Sequence, residues 1–178
     1  GMLALQLAAA LAVITLGATL LGVMRHARAH VHAVAAQKDR EAIDKDPLTQ
    51  LDTRRAFERQ LTRSVAQAHA DRAPLALFFV DLDGFKAVNE SYGHTEGDRL
   101  IVEMTQRLKQ LKRDTDILAR VGADEVLLLS RDDADPEAAQ ARAQRIVAEL
   151  GRPYTLTQRE VSLTCTVGIA RYPKHGPA

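Results

Sequence analysis

The sequence predicts an α/β domain in which helices flank one mixed β-sheet, and three patterns support this fold class. Leu75–Leu82 is an unbroken apolar run, which is typical of a buried central strand. Asp98–Lys112 has apolar residues three and four positions apart, as in an amphipathic helix. Two alternating stretches, residues 116–130 and 154–170, predict β-hairpins. Because helical and strand patterns follow one another, helices are expected to cover the sheet.

The other elements follow from local signals. Asp52–Ala70 is predicted to be helical because Phe57, Leu61 and Val65 share one face, and Ala73-Pro74 ends the helix. In chain order, the remaining predictions are a short helix or turn at Gly84–Ser91, strands at Asp116–Val121 and Glu125–Ser130, a helix at Asp135–Leu150, and strands at Tyr154–Thr157 and Val161–Ala170.

Composition excludes some functional classes. The chain has 178 residues, a hydrophobic content of 46% and a charged content of 26%, which describe a folded protein. Its formal net charge is only +1, so we expect no nucleic-acid partner. A near-neutral domain that handles triphosphates needs a cation, because carboxylates alone repel phosphate.

The N-terminal residues are predicted to span a membrane. Leu3–Met24 has no charged side chain, and a helix of this length covers about 33 Å, against a hydrocarbon core of about 30 Å. A buried helix of a soluble fold is the alternative. Basic residues after the span predict that the C-terminal side is cytoplasmic, at an inner membrane. We therefore expect a membrane helix at 1–24, a helical juxtamembrane linker at 25–45 and a compact domain at 46–178.

Acidic residues occur in two places that suit a metal site. Asp81 and Asp83 lie where the predicted central strand ends, two positions apart and therefore on one face. Asp124 lies in the turn of the first hairpin. If that hairpin pairs beside the central strand, three acids meet around one point, which suits Mg²⁺ bound together with substrate phosphates. Aspartates that only cap a helix or a turn are the structural alternative.

Four segments resemble motifs of the GGDEF family of diguanylate cyclases. These segments are DPLTQLDTRRAF (46–57), DLDGFKAVNESYGHTEGDRL (81–100), RVGADEV (120–126) and SLTCTVGIARYP (162–173). They occur in the family order and at the family spacing. The resemblance implies a palm-like nucleotidyl-cyclase fold and condensation of two GTP molecules into cyclic di-GMP and pyrophosphate. It also implies a further covering helix, and we expect the domain at 46–178 to lack that helix.

The resemblance assigns the catalytic positions. Asp81, the Leu82 backbone carbonyl and Asp124 would hold Mg²⁺, or Mn²⁺ in its place. Asp124 would also help to deprotonate the attacking 3′-hydroxyl, and Lys86 would stabilise charge on the phosphates.

The resemblance also assigns ligand-binding positions. Asn89 and Asp98 would read the guanine edge, and His94 would lie against the nucleotide. Arg113 and Asp116 match the RxxD inhibitory site, which binds the product. Because each domain would hold one GTP, catalysis would need a homodimer.

Four positions depart from the family pattern. The signature reads Gly122-Ala123-Asp124-Glu125-Val126, with Ala123 at a usual glycine and Val126 at a usual phenylalanine. In the first motif, Gln50 replaces a usual glycine and Thr53 a usual asparagine. We expect Ala123 to be strained in left-handed geometry, at a cost of about 1–2 kcal/mol. The alternative function is therefore an inactive domain that binds GTP or cyclic di-GMP and regulates a fused or partner domain, such as an EAL phosphodiesterase.

Overall fold

A computed structural model of the chain describes residues 44–133, 135–157 and 159–173. The compact unit that contains them begins at Asp44. The predicted membrane helix at 1–24, and the linker up to residue 43, lie outside the described residues. Within the described part, no helix combines the length and the apolar character needed to cross a bilayer.

The described residues form four helices and seven strands. The helices are α1 (Arg54–Asp71), α2 (Phe85–Tyr92), α3 (His94–Leu111) and α4 (Pro136–Leu150). The strands are β1 (Asp52–Thr53), β2 (Leu75–Asp83), β3 (Ile117–Arg120), β4 (Glu125–Ser130), β5 (Tyr154–Thr155), β6 (Glu160–Val161) and β7 (Thr164–Tyr172).

Five strands form the main sheet, in the order β1-β3-β4-β2-β7. Strand β1 runs parallel to β3, and the other neighbours are antiparallel, so the predicted mixed sheet is confirmed. The predicted hairpin of 154–157 with 161–170 is confirmed only near its turn, where Tyr154 pairs with Val161. Strand β5 pairs with the short β6, whereas β7 pairs with β2 along its whole length. Alternation predicted the strand β7 but carried no information about its partner.

Side chains of β2 divide the hydrophobic core between the two faces of the sheet. Phe78, Val80 and Leu82 belong to the larger cluster, with residues of α3 and α4 such as Met104 and Ile146. Leu75 belongs to a smaller cluster with residues of α1. On that second face Phe79 remains 39% exposed, so β2 is central in the sheet but not buried along both sides.

Two helix starts differ from the predicted ones. Helix α1 begins at Arg54, because the Thr53 hydroxyl accepts a hydrogen bond from the Ala56 N–H and caps the helix. Helix α3 begins at His94, after Gly93 with a positive φ of 85°. The earlier start of α3 places both His94 and Asp98 in its first two turns.

Candidate active site

The two acidic segments meet at the end of the central strand. Strand β2 pairs with β4 so that Asp81 lies opposite Glu125, the residue after Asp124. The Leu82 N–H donates to the Asp124 carbonyl oxygen at 3.3 Å. Strand pairing thus brings the turn between β3 and β4, which contains Asp124, to the end of β2, as the sequence predicted.

Asp124 and Asp81 interact electrostatically. Burial raises the pKa of the Asp124 carboxyl above its ordinary value, and the negative charge of Asp81 raises this pKa further. Two carboxylates arranged in this way repel each other until a cation or a proton joins them. An arrangement of this kind is typical of functional sites.

Asp83 does not join this pair. Its carboxylate accepts hydrogen bonds from Thr164, at 2.9 Å, and from Thr166, at 3.0 Å, on β7. Among the described residues, no three acidic, histidine or cysteine side chains come close enough to hold a metal ion. The prediction of three acids around one point is therefore wrong. Asp81 and Asp124 still fit Mg²⁺, which commonly takes one or two carboxylates together with substrate phosphate oxygens.

Arg120 fixes the turn that carries Asp124, which we call the signature turn (residues 121–124). Its Nε atom donates to the Gly122 carbonyl at 3.1 Å, and its Nη2 atom donates to the Ala123 carbonyl at 2.7 Å. Its Nη1 atom donates to the Asp46 carboxylate at 3.2 Å. Arg54, at the start of α1, donates to the Val121 carbonyl at 2.9 Å. Neither arginine was predicted to have a role, although each lies inside one of the four family motifs.

The predicted strain at Ala123 is absent. The non-glycine residues with positive φ in the described part are Gln50, at 58°, and Arg72, at 51°. Ala123 is exposed and lies in ordinary backbone geometry. Left-handed geometry occurs instead at Gln50, another departure from the family pattern, where the Gln50 N–H donates to the Asp46 carbonyl.

Asn89 and Asp98 lie on two helices that approach each other closely. A methyl group at Gly97 would overlap the Asn89 side-chain amide, so only glycine allows this contact between α2 and α3. Asp98 follows directly and is exposed. It lines a groove of about 780 Å³ along α3, together with Leu48 and Arg99. Asn89 thus lies against Gly97, the residue before Asp98, but does not line the groove that Asp98 lines.

Lys86 and His94 lie at the exposed starts of α2 and α3. The Lys86 side chain is 88% exposed and lies 3.6 Å from the Glu90 carboxylate, a surface pair that holds it weakly. His94 is the first residue of α3 and is exposed. Both side chains are free to turn toward a ligand.

The two RxxD residues have different surroundings. The Arg113 side chain is 43% exposed, whereas the Asp116 side chain is fully buried and pairs with Arg142 at 2.7 Å. Asp116 also accepts a hydrogen bond from the Arg113 backbone N–H at 2.8 Å. In this conformation Arg113 can reach a ligand, while Asp116 shapes the turn that presents Arg113.

Comparisons with known proteins agree with this arrangement. The chain is 38% identical over 144 residues to the bifunctional diguanylate cyclase/cyclic di-GMP phosphodiesterase MucR of Pseudomonas aeruginosa. That match covers 79% of this chain but only 21% of MucR. The fold resembles the solved GGDEF domain of TpbB from the same organism, with 37% identity, a TM-score of 0.70, and coverage of 73% of this chain and 76% of that one.

A third similar structure contains a ligand. The GGDEF domain of DgcB from Caulobacter crescentus, in complex with c-di-GMP, is 26% identical, with a TM-score of 0.68 and coverage of 72% of this chain and 77% of that one. The family model described as "Diguanylate cyclase, GGDEF domain" matches residues 43–178. The chain belongs to the GGDEF family.

Proposed function

We propose that the chain is a diguanylate cyclase that condenses two GTP into cyclic di-GMP with Mg²⁺. The observation that carries this proposal is the pairing of β2 with β4, which brings the segment of Asp124 beside that of Asp81 at the end of β2. Each 3′-oxygen would bond to the α-phosphorus of the other GTP, and each broken α–β phosphoanhydride bond would release one pyrophosphate. One domain offers one such acid pair, so the reaction needs two domains face to face.

The residues of the chain would bind and orient the substrate. Asn89 and Asp98 would hydrogen-bond to the guanine edge, which rejects bases that leave these groups unpaired. Lys86 would turn from Glu90 to the phosphates. Asp124 would accept the proton of the 3′-hydroxyl.

Asp81, the Leu82 carbonyl and Asp124 would hold the metal. When bound there, Mg²⁺ would neutralise phosphate charge and lower the pKa of the attacking hydroxyl. The close pair of carboxylates supports this assignment, because a cation would relieve their repulsion.

Regulation and location are part of the same proposal. The half-exposed Arg113 supports binding of the product at the RxxD site, with a fork of donors that suits phosphate. The apolar residues 3–24 and the basic residues after them support anchoring in the inner membrane, with the catalytic domain in the cytoplasm.

The test is product formation by the whole chain. With GTP and Mg²⁺, the wild-type chain is expected to produce cyclic di-GMP, and Asp124→Asn is expected to produce none. Asp124→Asn should also melt at a higher temperature near neutral pH, because it removes the repulsion from Asp81. Asp83→Asn is the matched control on the same strand and should retain activity.

The same assay distinguishes a cyclase from the alternative, an inactive domain that binds nucleotide and regulates another domain. The absence of strain at Ala123 removes the main argument for inactivity. If neither the wild-type chain nor Ala123→Gly forms product while both are folded and bind GTP, the cyclase proposal is wrong. The domain would then be a receptor.

A further inference from the structure

Arg113, the exposed cation of the RxxD segment, already has a partner. Its Nη1 atom donates to Oδ1 of Asp133 at 3.0 Å. A second carboxylate, that of Asp132, lies 3.9 Å from the same nitrogen. The Asp133 side chain is only 3% exposed, so it is held under Arg113 and not free in solvent.

Asp133 has other partners on its far side. Its Oδ2 atom accepts a hydrogen bond from the Ser130 hydroxyl at 2.9 Å and lies 3.7 Å from Nη1 of Arg142. Asp133 would therefore keep a donor and a nearby positive charge if Arg113 moved away. The contact between Arg113 and Asp133 can open without leaving a bare buried charge.

The local charge opposes an anionic ligand. The guanidinium groups of Arg113 and Arg142 face three carboxylates, those of Asp116, Asp132 and Asp133. The Oδ1 atom of Asp116 and the Nε atom of Arg142 are buried without a hydrogen-bond partner. Some polar atoms of this cluster therefore lack hydrogen bonds. Phosphate oxygens that approach Arg113 would have to displace the Asp133 carboxylate from its guanidinium group.

We propose that Asp133 is an internal competitor for Arg113 and sets the affinity of the RxxD site for a dianionic guanine dinucleotide. The inference rests on the proposed product binding at Arg113. Binding then exchanges the Asp133 carboxylate for a ligand phosphate on the same guanidinium group. Product inhibition in this chain would be weaker than an unoccupied arginine would give.

Calorimetric binding of cyclic di-GMP to the whole chain tests the proposal. Asp133→Asn is expected to tighten binding about three- to tenfold, because the amide no longer competes for the guanidinium. Asp132→Asn, the neighbouring exposed control, is expected to change affinity by less than about twofold. Ser130→Ala keeps every charge and should weaken binding, because Asp133 then depends more strongly on Arg113.

A double-mutant cycle separates competition from a merely structural effect. In an Arg113→Met background, Asp133→Asn should no longer change the affinity. Melting temperatures show whether each variant is folded, and Ser130→Ala tests the proposal if Asp133→Asn does not fold. Equal or weaker binding by folded Asp133→Asn, with binding still weakened by Arg113→Met, overturns the competition alone. No binding by any variant overturns the product site as well.

Discussion

Arg120 and Asp46 form an ion pair of 3.2 Å that joins the signature turn to the loop before α1. The Arg120 side chain is only 16% exposed, and its other nitrogens hold the Gly122 and Ala123 carbonyl groups. One side chain thus fixes the position of the backbone on which Asp124 stands.

Arg120→Lys should therefore destabilise the domain and reduce its activity. A lysine ammonium is a point charge and cannot reproduce the fork that reaches three acceptors, so we expect a loss of about 1–3 kcal/mol in unfolding free energy. Urea denaturation measures this loss. Arg152→Lys, at an exposed pair with Glu149, is the control and should cost less than about 0.5 kcal/mol. Equal losses in the two variants would contradict the role of Arg120.

The same ion pair predicts a dependence of stability on pH. Burial by itself would raise the pKa of Asp46, but hydrogen bonds from Thr49 and the charge of Arg120 bring this pKa below its ordinary value of 3.8. A lowered pKa in the folded state means that the stabilisation is present above the ordinary value and is lost as the pH falls through the folded value.

Asp46→Asn should consequently be less stable than the wild-type chain at neutral pH. The difference should shrink as the pH falls below 3.8, where the wild-type carboxylate becomes protonated. Melting temperatures of both chains over a pH series measure this convergence. A difference that stays constant down to the lowest pH would show that the charge of Asp46 has no part in it.

Gln50 and Ala123 offer a matched pair of substitutions. Gln50→Gly should stabilise the chain by about 0.5–1 kcal/mol, because glycine adopts left-handed geometry without a steric cost. Ala123→Gly relieves no strain and should be neutral or destabilising by up to about 1 kcal/mol. Urea denaturation compares the variants, and cyclic di-GMP formation by Ala123→Gly should equal that of the wild-type chain. A large gain in activity would show that the methyl group obstructs the site.

Gly97→Ala tests the contact between α2 and α3. The new methyl group would displace the Asn89 amide, so we expect the preference for GTP over ATP to fall at least about tenfold. Gly97→Ala should also lower the melting temperature, because of the overlap. The double variant Asn89→Ala/Gly97→Ala should regain the melting temperature, because the overlap is gone, but it should not regain the preference for GTP. Binding assays with the two nucleotides and melting curves separate the effects.

Gly168→Ala is the control for this substitution. A methyl group at Gly168 would lie 3.8 Å from the Phe79 Cβ, an ordinary contact. If Gly97→Ala and Gly168→Ala keep the same nucleotide preference, Asn89 does not read the base.

Sequence reasoning recovered the parts of the fold that depend on local patterns. The run at 75–82 became β2, and the three- and four-residue spacing after Asp98 became most of α3. The predictions failed where a residue distant in sequence determines the pairing of a strand or the contacts of a side chain. The strand at 164–172 pairs with β2 instead of its neighbour in sequence, and Asp83 turns to threonines on that strand.

The site shows the same division. The approach of Asp81 to the signature turn was predictable from the order of motifs. The absence of strain at Ala123 was not predictable. The backbone angle of a turn depends on hydrogen bonds such as that from the Gln50 N–H to Asp46, which residue type alone does not reveal. The burial of Asp116 depends likewise on Arg142, a residue on a separate helix.

The alignment of β2 with β4 has a consequence for the accuracy of catalysis. Six paired positions run from Ala76 opposite Ser130 to Asp81 opposite Glu125. Because side chains alternate between faces, a slip of one residue would send Asp81 to the other side of the sheet and away from Asp124. The packing of Phe78 opposite Leu128, well behind the acids, forbids that slip. Interior hydrophobic residues therefore select which carboxylates become chemical neighbours.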